Sequence, residues 1–141
     1  MRLVFQGHNR SRTVPVEVST LGQRCRGRHG NTGCFVHQGN WTENNGVLTV
    51  RFQPTIFINR ALTGTDRTNA LQHEQRHYSD FRRRAGQLQG ALANAIQSRQ
   101  DPQMSARWSW FLYDLCTDSA AFHRSIGSMV EICTRPSTAR P

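Results

Sequence analysis

The chain has 141 residues, of which 36% are hydrophobic, and its 18 basic and 9 acidic residues give a formal net charge of +9. This length suits a single domain around one core. The sequence contains no run of about 18 apolar residues, which is the length that a membrane-spanning helix needs. All basic residues are arginines, and so positive a surface attracts anionic polymers such as acidic cell-wall glycans. We do not expect nucleic acid as a partner, because the sequence shows no zinc-finger, helix-turn-helix or RNA-binding pattern. We expect a monomer.

The first 60 residues predict an antiparallel β segment with turns. The β-prone runs are 3–5, 13–18, 34–37, 47–52 and 55–59. A loop is expected over 27–33, and Asn44-Asn45-Gly46 is a strong hairpin signal. Because Pro54 separates the last two runs, we expect one bent strand with edge character there.

The pattern becomes helical from Thr65 or Asp66 onward, with apolar residues three and four apart. A straight helix to Ser98 would be about 50 Å long, so we expect a bend near Gly86 or Gly90. A second, mainly helical stretch follows over 104–132. We expect a single domain over 1–133 and a disordered polar tail over 134–141.

An even number of cysteines in a small chain predicts disulfides and an oxidising compartment. The four cysteines are Cys25, Cys34, Cys116 and Cys133. Of the three possible pairings, we expect the local one, Cys25–Cys34 with Cys116–Cys133. The alternative is a structural zinc knuckle, in which Cys25 and Cys34 would bind zinc together with His29 and His37. A secreted or periplasmic location follows, although the N-terminal segment does not resemble a signal peptide.

The motif that indicates chemistry is His73-Glu74-Gln75-Arg76-His77, an H-E-x-x-H sequence within the predicted helix. Histidines four residues apart lie on one helix face and can bind one metal ion together. Glu74 occupies a position in the apolar stripe, where an ionised carboxylate costs several kcal/mol unless a partner compensates it. The motif therefore predicts a metal site.

A strand, RFQPTIFIN, then a helix with HEQRHYSDF, then a later helix with acidic residues, resembles the zincin metallopeptidases, specifically a small gluzincin-like bacterial form. The resemblance covers roughly Val47–Phe122. It implies a zincin-like α+β domain in which His73 and His77 bind Zn²⁺ and Glu74 is the general base. It also implies that Thr55–Asn59 pairs with an extended peptide substrate.

The resemblance further implies an acidic third ligand from the later helix. Asp118 stands in the ligand place of an E-x-x-A-aromatic pattern, with Asp114 as its rival and His123 after both. Whichever aspartate does not bind zinc would steady a ligand imidazole. Asp80 would orient a ligand from outside the metal's own shell or pair with a neighbouring arginine.

Two function classes follow from these observations. The first is a secreted or delivered zinc metallopeptidase, such as an effector or toxin domain, that hydrolyses peptide bonds in a protein or peptide with a water activated by zinc and the glutamate. The alternative is a cationic binding module for an anionic polymer or the cell wall, whose metal site is structural or vestigial.

Overall fold

The computed structural model of the protein describes residues 1–26 and 31–141. Its strands are β1 (Arg2–Gln6), β2 (Arg12–Val16), β3 (Gly33–Val36), β4 (Asn40–Asn44), β5 (Val47–Arg51) and β6 (Thr55–Asn59). Its α-helices are α1 (Leu21–Arg24), α2 (Gly64–Gln97) and α3 (Met104–Ser125), and a 3₁₀ turn spans Val18–Thr20. The described residues thus confirm the α+β class. The loop predicted over 27–33 lies partly outside them, as does His29 of the disfavoured zinc knuckle.

One sheet has the strand order β2–β6–β3, with β6 in the centre. β6 runs antiparallel to β3 but parallel to β2, with Val14 opposite Phe57. The expectation of a purely antiparallel segment was therefore wrong for this pair. A long connection from β2 to β6, which holds α1 and three strands, allows the parallel direction. All five residues of β6 are buried.

The other sheet has the order β1–β5–β4. Asn45 and Gly46 join β4 to β5 with φ angles of 51° and 73°, and two positive φ angles are what a type I′ hairpin turn requires. The predicted hairpin is thus present, whereas the sequence pattern did not reveal β4. The single bent strand predicted around Pro54 is wrong, because β5 and β6 belong to different sheets.

The chain forms two compact units. One comprises Phe5–Thr42 and Thr49–Ser79, and it holds the β2–β6–β3 sheet, α1 and the start of α2. A buried cluster in this unit consists of Leu21, Cys25, Cys34 and Phe57. The predicted Cys25–Cys34 disulfide lies within this cluster, so the covalent link and the apolar packing fix the same region.

The other unit comprises Met1–Val4, Glu43–Leu48 and Asp80–Pro141. Within it, the later part of α2 packs on α3, and the rings of Phe81 and Phe111 lie edge to face at 6.2 Å between centroids. Its buried residues on the two helices include Ala85, Leu88, Leu92, Met104, Trp110 and Ala120. The predicted apolar stripe of α2 is therefore the face that packs.

The helix α2 is continuous over 34 residues, which corresponds to about 51 Å. The helix is not interrupted at Gly86 or Gly90, where we expected a bend. A Cβ atom at either glycine would have no neighbour within 4 Å, so neither glycine is required by close packing. The two long helices are not apolar enough to cross a membrane, and no other helix among the described residues is long enough to do so.

The residues after α3, 127–141, are called the C-terminal arm here. Gly127 has a φ of +70° and turns the chain, after which Cys133 forms the predicted disulfide with Cys116 of α3. Further on, the Trp110 indole N–H donates to the carbonyl of Thr138 at 3.1 Å. The tail expected to be disordered over 134–141 therefore lies against α3, because a disulfide and polar contacts attach it there.

Candidate metal centre

The two motif histidines lie side by side on α2. Their Nε2 atoms are 3.1 Å apart, and the rings meet edge to face with 4.8 Å between centroids. Two imidazole ligands of a tetrahedral zinc, each with a Zn–N bond of about 2.05 Å, have their nitrogens about 3.3 Å apart. The helical spacing of His73 and His77 has thus brought two ring nitrogens to a separation that suits one shared metal ion.

His123, the last of the predicted candidates for the third ligand, lies on α3 in the compact unit that begins at Asp80 on α2. Its role as a metal ligand stays a prediction, as do the ligand roles of the two aspartates on the same helix.

Glu74 lies buried at the centre of the motif and is 5% exposed. Burial raises the pKa of its carboxyl from 4.5 to about 7, because a low dielectric disfavours the charged form. Its Oε1 lies 3.7 Å from Nε2 of His73, and its Oε2 is buried without a hydrogen-bond partner among the described residues. A carboxyl group in this environment can exchange a proton near neutral pH. A nearby cation would stabilise its ionised form.

The predicted acidic ligands make contacts with arginines. Asp118 receives hydrogen bonds from Nε and Nη2 of Arg84 at 2.8 and 2.9 Å, and one from Arg83 at 3.1 Å. Its hydrogen bond to Arg84 raises the pKa of that guanidinium. Asp114 receives two hydrogen bonds from Arg140, at 2.8 and 3.0 Å. Both aspartates thus hold α3 to α2 or to the C-terminal arm, and zinc ligation by Asp118 stays a prediction.

Asp80 was predicted either to orient a ligand or to pair with a nearby arginine. Its Oδ1 lies 3.6 Å from a guanidinium nitrogen of Arg83, one turn further along α2. At this distance the ion pair is a loose one. The pairing is therefore present, and the orienting role remains a prediction.

Sequence reasoning did not single out Glu131 of the C-terminal arm. Its carboxylate contacts Nδ1 of His123. Burial by itself raises the pKa of Glu131, but hydrogen bonds with Ser119 and His123 outweigh it and hold that pKa below its usual value. The one sequence signal for this contact was the expected Cys116–Cys133 disulfide, because it brings the residues just before Cys133 back to α3.

The strand before the motif helix does not offer an edge to a substrate. β6 is hydrogen-bonded to β2 on one side and to β3 on the other, so Thr55–Asn59 cannot pair with a peptide as expected. The outer strand β3 approaches the motif helix instead, where the rings of Phe35 and Tyr78 lie 6.0 Å apart. Tyr78 also donates a hydrogen bond to the carbonyl of His8 at 3.2 Å, which anchors the helix beside the motif.

The chain matches no protein-family description, no curated protein and no solved structure. Its functional interpretation therefore depends on the motif and on the geometry of its own residues. The two disulfides are compatible with an extracellular or periplasmic protein.

Proposed function

We propose that the protein is a zinc-dependent hydrolase of peptide bonds, in which His73 and His77 bind the metal and Glu74 is the general base. The observation that carries this proposal is the buried Glu74 carboxyl next to imidazole nitrogens 3.1 Å apart. The third ligand is proposed from the zincin resemblance alone, with Asp118 as the first candidate and Asp114 and His123 after it.

The donor set fits zinc. Two neutral imidazoles with one further protein ligand form a known ligand set of catalytic zinc, and they leave a fourth position open. Imidazole also suits copper, nickel and iron, so the choice of zinc comes from the H-E-x-x-H resemblance. When bound, zinc supplies a Lewis acid that polarises the carbonyl and lowers the pKa of a water molecule towards 7.

The role of Glu74 follows from its position and its environment. A general base must hold a proton only briefly, and it works best when its pKa is near the working pH. Burial places the pKa of Glu74 at about 7. The carboxylate takes a proton from the attacking water and passes it to the leaving amine. The side chain of His73 is 31% exposed, so solvent reaches the motif.

Peptide bonds are the proposed substrate class because of the zincin resemblance, and two disulfides support action outside the cytoplasm. The net charge of +9 would attract the enzyme to anionic surfaces such as cell walls. Substrates carried on such a surface would therefore meet the enzyme at a raised local concentration.

The experiment compares the wild-type protein with Glu74→Gln and with Gln75→Ala, an exposed neighbour in the motif. Each purified protein is analysed for bound metals and then incubated with an unstructured protein such as casein. We expect about one zinc per chain in all three proteins and a rate lower by about 10²–10⁴-fold in Glu74→Gln alone. Unchanged hydrolysis by Glu74→Gln would refute the catalytic role, and a wild-type protein that binds no zinc would favour the cationic binding module.

A further inference from the structure

The face of α3 that carries Trp110 and Asp114 holds a guanidinium group from the C-terminal arm. The guanidinium carbon of Arg140 lies over the Trp110 ring, 4.1 Å from its centroid. The two Nη nitrogens of Arg140 donate to the two oxygens of Asp114 at 2.8 and 3.0 Å. An aromatic face and a carboxylate that accepts paired hydrogen bonds are the partners that suit a planar guanidinium. Trp110 and Asp114 are called the arginine site here.

The arginine site is formed by side chains that the helices hold in place. Trp110 is 5% exposed, and the side chain of Asp114 is 15% exposed. The two residues are four apart on α3 and share one face of the helix. Oδ2 of Asp114 also lies 3.8 Å from Nη1 of Arg84 on α2. All these residues belong to the compact unit that contains Asp80–Pro141, so the site lies within one unit.

The arm segment that fills the arginine site, 134–141, is held there by exposed contacts. The side chain of Arg140 is 54% exposed, and none of residues 134–141 is buried. Ion pairs as exposed as this one contribute little to stability, because water screens them. The covalent attachment of the arm to α3 lies before this segment, at Cys133. The segment can therefore leave the site while α3 and the disulfide stay as they are.

A cavity adjoins the arginine site and adds an apolar surface to it. The cavity has a volume of about 180 Å³ and lies between the later part of α2 and α3. Its lining includes Leu88 and Phe111, which are both buried apolar residues. Pro141, which follows Arg140, also borders the cavity. The surface thus matches a peptide in which an arginine is followed by a small apolar residue.

We propose that Trp110 and Asp114 form a binding site for an arginine-bearing peptide segment of a partner protein, and that residues 134–141 occupy this site until such a segment displaces them. The site prefers arginine to lysine, because an ammonium group lacks the planar fork that donates paired hydrogen bonds. The tethered segment competes at an effective concentration in the millimolar range. A partner therefore needs additional contacts, and the cavity offers them. The inference does not depend on the metal site.

The first test removes the guanidinium from the site with Arg140→Ala in the full chain and replaces it with ethylguanidinium. The readout is the nitrogen-15 NMR signal of the Trp110 indole N–H, recorded with a chelator present. We expect a saturable shift in Arg140→Ala. In the wild type and in Arg99→Ala, a control at an exposed arginine of the same unit, the apparent affinity should be about 3–30-fold weaker, because Arg140 still occupies the site.

Two comparisons separate recognition of the guanidinium from general effects of cations. Ethylammonium should give a much smaller shift than ethylguanidinium, and Asp114→Asn combined with Arg140→Ala should abolish the saturable shift. The proposal would be overturned if Arg140→Ala showed no saturable response, or if the response were equal for ethylammonium or unaffected by Asp114→Asn. In each of these cases the contact of Arg140 with α3 would serve packing alone.

The second test asks whether a peptide displaces the arm of the unmodified chain. The probe is a capped peptide with the sequence of residues 137–141, compared with the same peptide carrying lysine in place of arginine. We expect the arginine peptide to move the methyl NMR signal of Ala139 towards its value in an unfolded chain, with a dissociation constant on the order of 1 mM. The lysine peptide should act several-fold more weakly. An Ala139 signal that does not move at roughly 10 mM arginine peptide, or that responds equally to both peptides, would refute the displacement.

Discussion

The buried carboxyl of Glu74 makes the stability of the zinc-free protein depend on pH. Its pKa is raised from 4.5 to about 7, and at about 1.4 kcal/mol per pKa unit this difference amounts to about 3 kcal/mol. Because the residue is 5% exposed, solvent screens this cost very little. Replacing the carboxyl by the neutral amide in Glu74→Gln should remove the pH-dependent part of the cost.

The sign follows from proton binding. Between pH 4.5 and 7 the folded state holds the Glu74 proton while the unfolded chain releases it, so the free energy of unfolding falls as the pH rises. The cost is absent below pH 4.5 and complete above pH 7. Between pH 5 and pH 8 we expect the wild type to lose about 2.5 kcal/mol more than Glu74→Gln does.

The assay is urea unfolding of both proteins at pH 5 and pH 8 in the presence of a chelator, with the disulfides intact. The two proteins carry the same histidines and aspartates, so the difference between their pH dependences belongs to Glu74. Adding zinc should reduce this difference, since a nearby cation favours the ionised carboxylate. Equal pH dependence in the two zinc-free proteins would refute the desolvation of Glu74.

Three further predictions concern the helices, the third ligand and the C-terminal arm. Gly86→Ala and Gly90→Ala should each raise the free energy of unfolding in urea by about 0.5–1 kcal/mol, because alanine favours a helix and neither site is crowded. Calorimetric titration should show that Asp118→Ala weakens zinc binding far more than Asp114→Ala, and the reverse order would make Asp114 the ligand. Deleting residues 134–141 should shift Trp110 fluorescence, because its indole N–H loses the carbonyl in the arm; an unchanged spectrum would contradict that contact.

The features that the sequence predicted correctly depend on local spacing. His73 and His77 are four apart, and a continuous helix alone is enough to bring their Nε2 atoms to 3.1 Å. Asn45-Gly46 specifies its own turn through two positive φ angles. The short loops between paired cysteines likewise made the local disulfides the simplest choice, and both are present.

The features that could not be predicted depend on contacts between distant parts of the chain. Nothing near Pro54 reveals that β5 and β6 join different sheets, or that β6 pairs in parallel with β2. The resemblance to gluzincins directed attention to Asp118, whose carboxylate binds Arg84 in the structure.

The central claim is that His73 and His77 hold one metal ion at the H-E-x-x-H motif. The most direct measurement is the zinc K-edge X-ray absorption spectrum of the protein loaded with one equivalent of zinc. We expect two imidazole nitrogens at about 2.0 Å with further light ligands, and the loss of one imidazole in His77→Ala. A zinc ion surrounded by water or sulfur, or a spectrum that is identical in His77→Ala, would contradict the two-histidine site.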